Sequence, residues 1–197
     1  VTGLMAVHLP NTKGYHADRL RVVELAIRSM ILHAGERLDL WVWDNASCGA
    51  GRKLLRRLQE EGLIQWLTVS RENLGVGLTK QTLLRAAPGK IVAYSDDDVY
   101  HYPGWLGPQL ELLAHFPNVG AVTGAPLRGM FDWGTRSAER FAGRTPEAKL
   151  TAGRFLPEEW ERDFARSVGR DPEVHLSERR ESRDLLLEWR GKRAYAT

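Results

Sequence analysis

Short apolar runs alternate with amphipathic stretches through the first 125 residues, and few architectures accommodate that rhythm. Residues 4–9 form an apolar run closed by Pro10 and Asn11, which predicts a buried strand ending in a turn. From Ala17, Leu20, Val23, Ile27 and Met30 or Ile31 recur at helical spacing, and Gly35 stands where a helix would stop. Further strands are expected over 38–43, 63–70 and 91–94, with helices over 52–61, 78–87 and 105–115, and a last short strand over 120–123. Strands that alternate with helices need crossover connections. The expected fold class is therefore α/β, a Rossmann-like, mainly parallel sheet with helices on both faces and ligands bound beyond the carboxyl ends of the strands.

After Gly124 the sequence becomes polar and rich in Arg and Glu, with helices expected over 157–168 and 172–189. No linker marks a second domain, so 197 residues are read as one domain with a ligand-binding half, 1–124, and a second half, 125–197. Hydrophobic residues at 43% and charged residues at 27% suit a globular protein with a sizeable core. The 28 basic and 25 acidic residues are interspersed, which argues against nucleic acid as a partner. No run approaches the ~20 apolar residues of a transmembrane helix, and the first thirty residues lack the cationic start and apolar stretch expected of a signal peptide. The lone Cys48 agrees with a reducing compartment, so a cytoplasmic location is expected, including the inner face of a membrane. The chain opens on Val1 and closes just after a strand-like Arg193-Ala194-Tyr195, which suggests a fragment trimmed at both ends.

Three segments carry chemistry. Asp96, Asp97 and Asp98 follow directly on an apolar strand, crowding three carboxylates at its carboxyl end. Adjacent anions repel, and the usual reliefs are a divalent cation, an Arg partner or exposure to water. Hard oxygen ligands suit Mg²⁺ or Mn²⁺, which would in turn bind the oxygens of a diphosphate. Asp44 ends the strand before Asn45-Ala46-Ser47; a carboxylate there can accept the ring N–H of uracil, thymine or guanine, or can simply turn the chain. Asn73-Leu74-Gly75-Val76-Gly77 precedes a helix bearing Lys80, with two glycines that permit close backbone approach.

In order and spacing these segments resemble family 2 of the glycosyltransferases, which have the GT-A fold. The matching residues run from His8-Leu9-Pro10-Asn11 through Asp44-Asn45-Ala46-Ser47, Asn73-Leu74-Gly75 and Ser95-Asp96-Asp97-Asp98 to Pro103-Gly104-Trp105-Leu106. The resemblance implies that Pro10 and Asn11 line the nucleoside and that Asp44 faces the base. It further implies a donor site that includes Asn73, Gly75 and Asp97, with Lys80 near the base or phosphates. Asp96 would approach the ribose or sugar, and Asp98 would bind the metal, Mn²⁺ or Mg²⁺. Thr79 and Gln81 depart from the Ala and Asn common in such helices, and no Gly-Gly segment or Glu-Asp pair follows Gly124.

The implied activity is hexosyl transfer, with inversion, from a nucleotide-diphosphate sugar to a saccharide or other hydroxyl acceptor. The donor would be a UDP-sugar first, a GDP- or dTDP-sugar next. Glu158, Glu159, Asp163 and Asp184 are candidates for the catalytic base because they are acids in the acceptor half. Trp133 is a candidate to pack on an acceptor sugar. Two other readings stay open, a binding module without turnover and a sugar-phosphate nucleotidyltransferase. The latter is disfavoured because residues 10–14 lack a glycine cluster.

Overall fold

The computed structural model describes residues 1–124, 136–180 and 184–196, which fall into two compact units, Val1–Pro108 and Gln109–Thr197. The first unit is built around strands β1 (Thr2–Val7), β2 (Asp39–Asn45), β3 (Trp66–Ser70) and β4 (Val92–Ser95). Helices α1 (Arg19–Leu32), α2 (Gly49–Glu60) and α3 (Gly75–Ala86) connect them, and α4 (Leu106–His115) begins in the first unit and has most of its residues in the second. The strands pair in parallel in the order β3-β2-β1-β4.

That order fixes where the helices lie. The first two crossovers step one way along the sheet, and the third steps back past both strands to β4. Right-handed crossovers then put α1 and α2 on one face and α3 on the other. With both faces covered, β1 must be apolar along its whole length, and Leu4, Met5 and Val7 are all buried. The α1 stripe of Val23, Ala26, Ile27 and Met30 and the α2 stripe of Leu54, Leu55 and Leu58 complete the core. Each of the Val, Leu, Ile and Met side chains among them contributes about 1.5–3 kcal/mol on burial. Gly3 keeps α1 close: a Cβ there would meet Met30 Cε at 3.1 Å and Leu40 Cδ1 at 3.2 Å.

The second unit contains α5 (Arg136–Arg144), α6 (Glu158–Ser167) and α7 (Pro172–Glu178), with β5 (Lys149–Gly153), β6 (Asp184–Trp189) and β7 (Lys192–Ala196) in an antiparallel sheet ordered β5-β6-β7. Its small core gathers Phe116, Ala138 and Leu187 with Phe141, Leu150 and Trp189. Two expectations fail here. The helix expected over 172–189 ends at Glu178, and the chain returns as β6, paired on both sides. The cause is the turn after it: Arg190 and Gly191 both have positive φ, and a two-residue turn of that kind joins antiparallel strands. Residues 120–123 form no strand. No helix among the described residues is long and apolar enough to cross a membrane.

Candidate active site

The direction of stepping reverses at β1, so the carboxyl ends of β1 and β4 diverge and leave a crevice, the place where open parallel sheets bind ligands. Register sets Val7 beside Asp44 and Met5 beside Ser95, so Asp44 and the triplet stand at the same edge. A cleft of about 360 Å³ opens there. Ala6, Val7 and His8 at the end of β1, Asn45 from β2, Asn73, Gly75, Val76 and Thr79 around the start of α3, Tyr94 from β4, the triplet just after it, and Arg19 from α1 supply its lining.

Asn45 ties this edge together. Its Nδ2 donates to Asn73 Oδ1 at 2.8 Å, and its Oδ1 accepts from Leu74 N at 2.8 Å and from Ser70 Oγ at 3.3 Å. Asn73 Oδ1 also accepts from Gly75 N at 2.8 Å, which fixes the first turn of α3. Gly75 has φ +76°, a conformation other residues adopt only with strain, so this position favours glycine. His8 Nδ1 donates to the Asn45 carbonyl at 2.7 Å, fastening the end of β1 to the end of β2. Thr79 is fully buried, and its hydroxyl donates back to Gly75 O and Val76 O, while Gln81 is exposed.

Asp44 is wholly buried, its Oδ1 accepts from Ser47 N at 2.8 Å, and its Oδ2 has no partner. It does turn the chain, and it stands behind Asn45 without lining the cleft. Pro10 and Asn11 are exposed, and Asn11 Oδ1 accepts from Lys13 N. Lys80 does not line the cleft; its Nζ lies 4.0 Å from the centre of the Tyr94 ring. Burial of the Tyr94 phenol together with the nearby Asp96 and Asp97 charges pushes it up to about 12.

The three aspartates differ in surroundings. Asp96 is exposed. Asp97 is 14% exposed and pairs with Arg19, Nη2 to Oδ2 2.6 Å. Burial raises the Asp97 carboxyl above its ordinary range, and Arg19 opposes that rise. Asp98 is 60% exposed, with Arg19 Nη1 at 3.8 Å. Arg19 and Asn45 are the cleft residues that the sequence reading missed as individuals. Asn45 lay inside a motif read as turn formers, and nothing in sequence links Arg19 to the triplet.

The four base candidates all belong to the second unit. Glu158 and Glu159 are exposed in the first turn of α6, where the helix dipole favours acids. Asp163 is exposed and pairs with Arg166 at 2.9 Å. Asp184 is buried, and its Oδ2 accepts from Phe155 N at 2.8 Å and Leu156 N at 3.1 Å, so that carboxylate clamps a loop. A cavity of about 730 Å³ in this unit is lined by Leu112, Phe116, Phe141, Trp160 and other largely apolar residues, and by none of the four acids. Trp133 lies outside the described residues.

No curated protein matches the sequence. The model of the family described as Glycosyl transferase family 2 matches residues 18–170, from the start of α1 to beyond α6. The parallel four-stranded sheet flanked by helices is consistent with the GT-A fold. With most of its length matched, from the first helix through the triplet and into the second unit, the chain belongs to glycosyl transferase family 2.

Proposed function

We propose that this glycosyltransferase moves a hexose from a nucleotide-diphosphate sugar, a UDP-sugar before a GDP- or dTDP-sugar, to the hydroxyl of a saccharide or other acceptor, with inversion and with Mn²⁺ or Mg²⁺. The observation that carries this reading is the triplet at the switch-point edge, facing the first turn of α3 across one cleft. The start of α3 offers partial positive charge to a diphosphate. Asn73, Gly75 and Asp97 complete the donor cradle, Asp96 meets ribose or sugar, and Asp44, buried behind Asn45 at the same edge, faces the base once the end of β2 opens to it. Pro10, Asn11 and Lys80 border the nucleoside from outside the cleft. The location consistent with this chemistry is the cytoplasm, including the inner face of a membrane.

Members of this family generally use a divalent metal, and the residues present fit one. Asp98 is exposed and loosely paired, a hard oxygen ligand within reach of solvent. Among the described residues no group of three potential ligands converges. Mg²⁺-type sites need no such cage, since they use one or two carboxylates plus substrate phosphates and water. The metal would neutralise charge on the leaving diphosphate. The chain's own residues hold the donor, and a carboxylate, Glu158, Glu159 or Asp163 before the clamped Asp184, takes the acceptor proton as the acceptor oxygen bonds the anomeric carbon. Trp133 remains a candidate acceptor contact.

The test is hydrolysis of UDP-, GDP- and dTDP-sugars with Mn²⁺, wild type against Asp98→Asn. Loss of the ligand should lower the rate roughly a hundredfold, with the melting temperature held or slightly raised as crowded carboxylates are relieved. Undiminished activity of Asp98→Asn at limiting metal would refute the role of Asp98. Donor binding without turnover in the wild type would favour a binding module.

A further inference from the structure

We infer that Arg19 is a built-in cation that keeps the triplet's affinity for metal low until a nucleoside diphosphate binds, so that metal and nucleotide enter as a coupled pair. The inference rests on the donor site proposed above and concerns how that site is filled.

Arg19 is the first residue of α1, and its guanidinium is 18% exposed. Among the described residues it is the one cation within ion-pair range of the triplet. The two aspartates it approaches are held differently. At 2.6 Å, Nη2 makes a close ion pair with the mostly buried Asp97, and such a pair resists separation because either partner would be left as a desolvated charge. At 3.8 Å, Nη1 lies beyond hydrogen-bonding distance of Asp98 but still lowers the negative potential there. Asp97 is therefore the anchor of Arg19 and not a metal ligand, and Asp98 is a metal ligand with a positive charge beside it.

That neighbour works against a divalent cation. A guanidinium this close repels a doubly charged ion directly, and at an exposed site screened by water and salt that repulsion weakens binding on the order of tenfold. A diphosphate reverses the balance. Its oxygens can take the N–H groups of the guanidinium fork, which lines the same cleft, and they add negative charge where the metal must sit. Each ligand then raises the affinity of the other by the same factor, as linkage requires.

The experiment is a titration of free Mn²⁺ by electron paramagnetic resonance, with and without UDP, GDP or dTDP, on the wild type, Arg19→Gln and Arg19→Lys. For the wild type we expect weak Mn²⁺ binding alone and at least about tenfold tighter binding with the preferred nucleotide. Arg19→Gln should bind Mn²⁺ alone about tenfold more tightly, with the nucleotide's enhancement smaller by about the same factor. Arg19→Lys, which retains the charge, should stay within about threefold of the wild type. The inference is overturned if Arg19→Gln binds Mn²⁺ alone no more tightly, or if Arg19→Lys behaves like Arg19→Gln. Should Arg19→Gln not fold, the wild type still decides: Mn²⁺ affinity equal with and without nucleotide overturns the inference. A wild type that binds neither Mn²⁺ nor any nucleotide sinks the donor-site reading and the inference together, whereas coupled binding left unchanged by Arg19→Gln sinks the inference alone.

Discussion

Replacing Asn45 by alanine removes the clasp between β2 and α3 without touching any carboxylate. Three hydrogen bonds are lost: the Asn73 Oδ1 and Leu74 N bonds, both 2.8 Å, and the Ser70 Oγ bond at 3.3 Å. Net values near 1 kcal/mol apiece apply to the two short ones, and the long one adds little. Buried groups left unpaired would cost more, but Leu74 is 41% exposed and Asn73 is exposed, so water can replace their lost partner. The expected loss is about 2 kcal/mol. At roughly 2–4 °C per kcal/mol for a chain of this size, the melting temperature should fall by about 4–8 °C. Urea unfolding followed by tryptophan fluorescence, to which Trp41 and Trp43 on the same strand contribute, gives the free energy. Asn73→Ala and the double variant close a cycle, with a coupling of about 1 kcal/mol expected between two residues in direct contact. Donor affinity should weaken as well, because the first turn of α3 lines the cleft. A loss below about 0.5 kcal/mol, within the range of ordinary surface substitutions, or a fully additive double variant would refute the clasp.

Three further expectations follow from single side chains. Tyr94→Phe keeps the ring beneath Lys80 but removes a hydroxyl from the cleft beside Asp96, so the donor KM should rise by up to about tenfold while urea unfolding stays close to wild type; an unchanged KM would remove the Tyr94 hydroxyl from donor binding. Asp184→Ala strips two backbone N–H groups of a charged acceptor and should cost about 3 kcal/mol in stability, and a variant that folds normally but loses only kcat would reinstate Asp184 as the base. His101 is held below its ordinary range by burial and by the nearby His33. The unfolded chain therefore takes up the proton first, at about pH 6.5, and the stability His101 contributes is present in full above that pH and lost as pH falls through the folded value. The urea midpoint should drop between pH 7 and pH 5, and His101→Gln should flatten that drop; an equally steep decline in the variant would assign it to other groups.

The parallel sheet was legible because each buried strand is a short apolar run bounded by turn residues, and hydrophobic burial on both faces leaves few other places for such a run. The start of α3 was less so: helical spacing begins at Leu78, but the helix begins at left-handed Gly75, whose amide is held by the Asn73 side chain. Leu185-Leu186-Leu187 suits a helix or a strand equally, and the deciding signal was Arg190-Gly191 downstream, which a helical reading of 172–189 leaves out of account. Residues 120–123 were read as a strand from Ala121, Val122 and Thr123, but an apolar run becomes a strand only where a partner edge receives its hydrogen bonds. At the site, the triplet was visible because three adjacent acids after a strand are costly in any setting. Its counter-charge was invisible, since Arg19 reaches Asp97 only after β4 docks against β1 and α1 packs across the sheet.

The position of β4 also bears on how the chain acquires its shape. Every pairing in the first sheet is parallel and therefore long-range, and the pairing of Thr2 with Val92 joins the two ends of the first unit. Strands β1, β2 and β3 can associate as soon as the intervening helices form, whereas one edge of β1 stays open until residue 95 has been made and folded back. Loop closure over that span makes this the slow pairing. On a ribosome, the strand that leads into the carboxylates is the last piece of the sheet to arrive, and until it does the open edge of β1, with its unpaired backbone N–H and C=O groups and apolar side chains, is the surface a chaperone would cover.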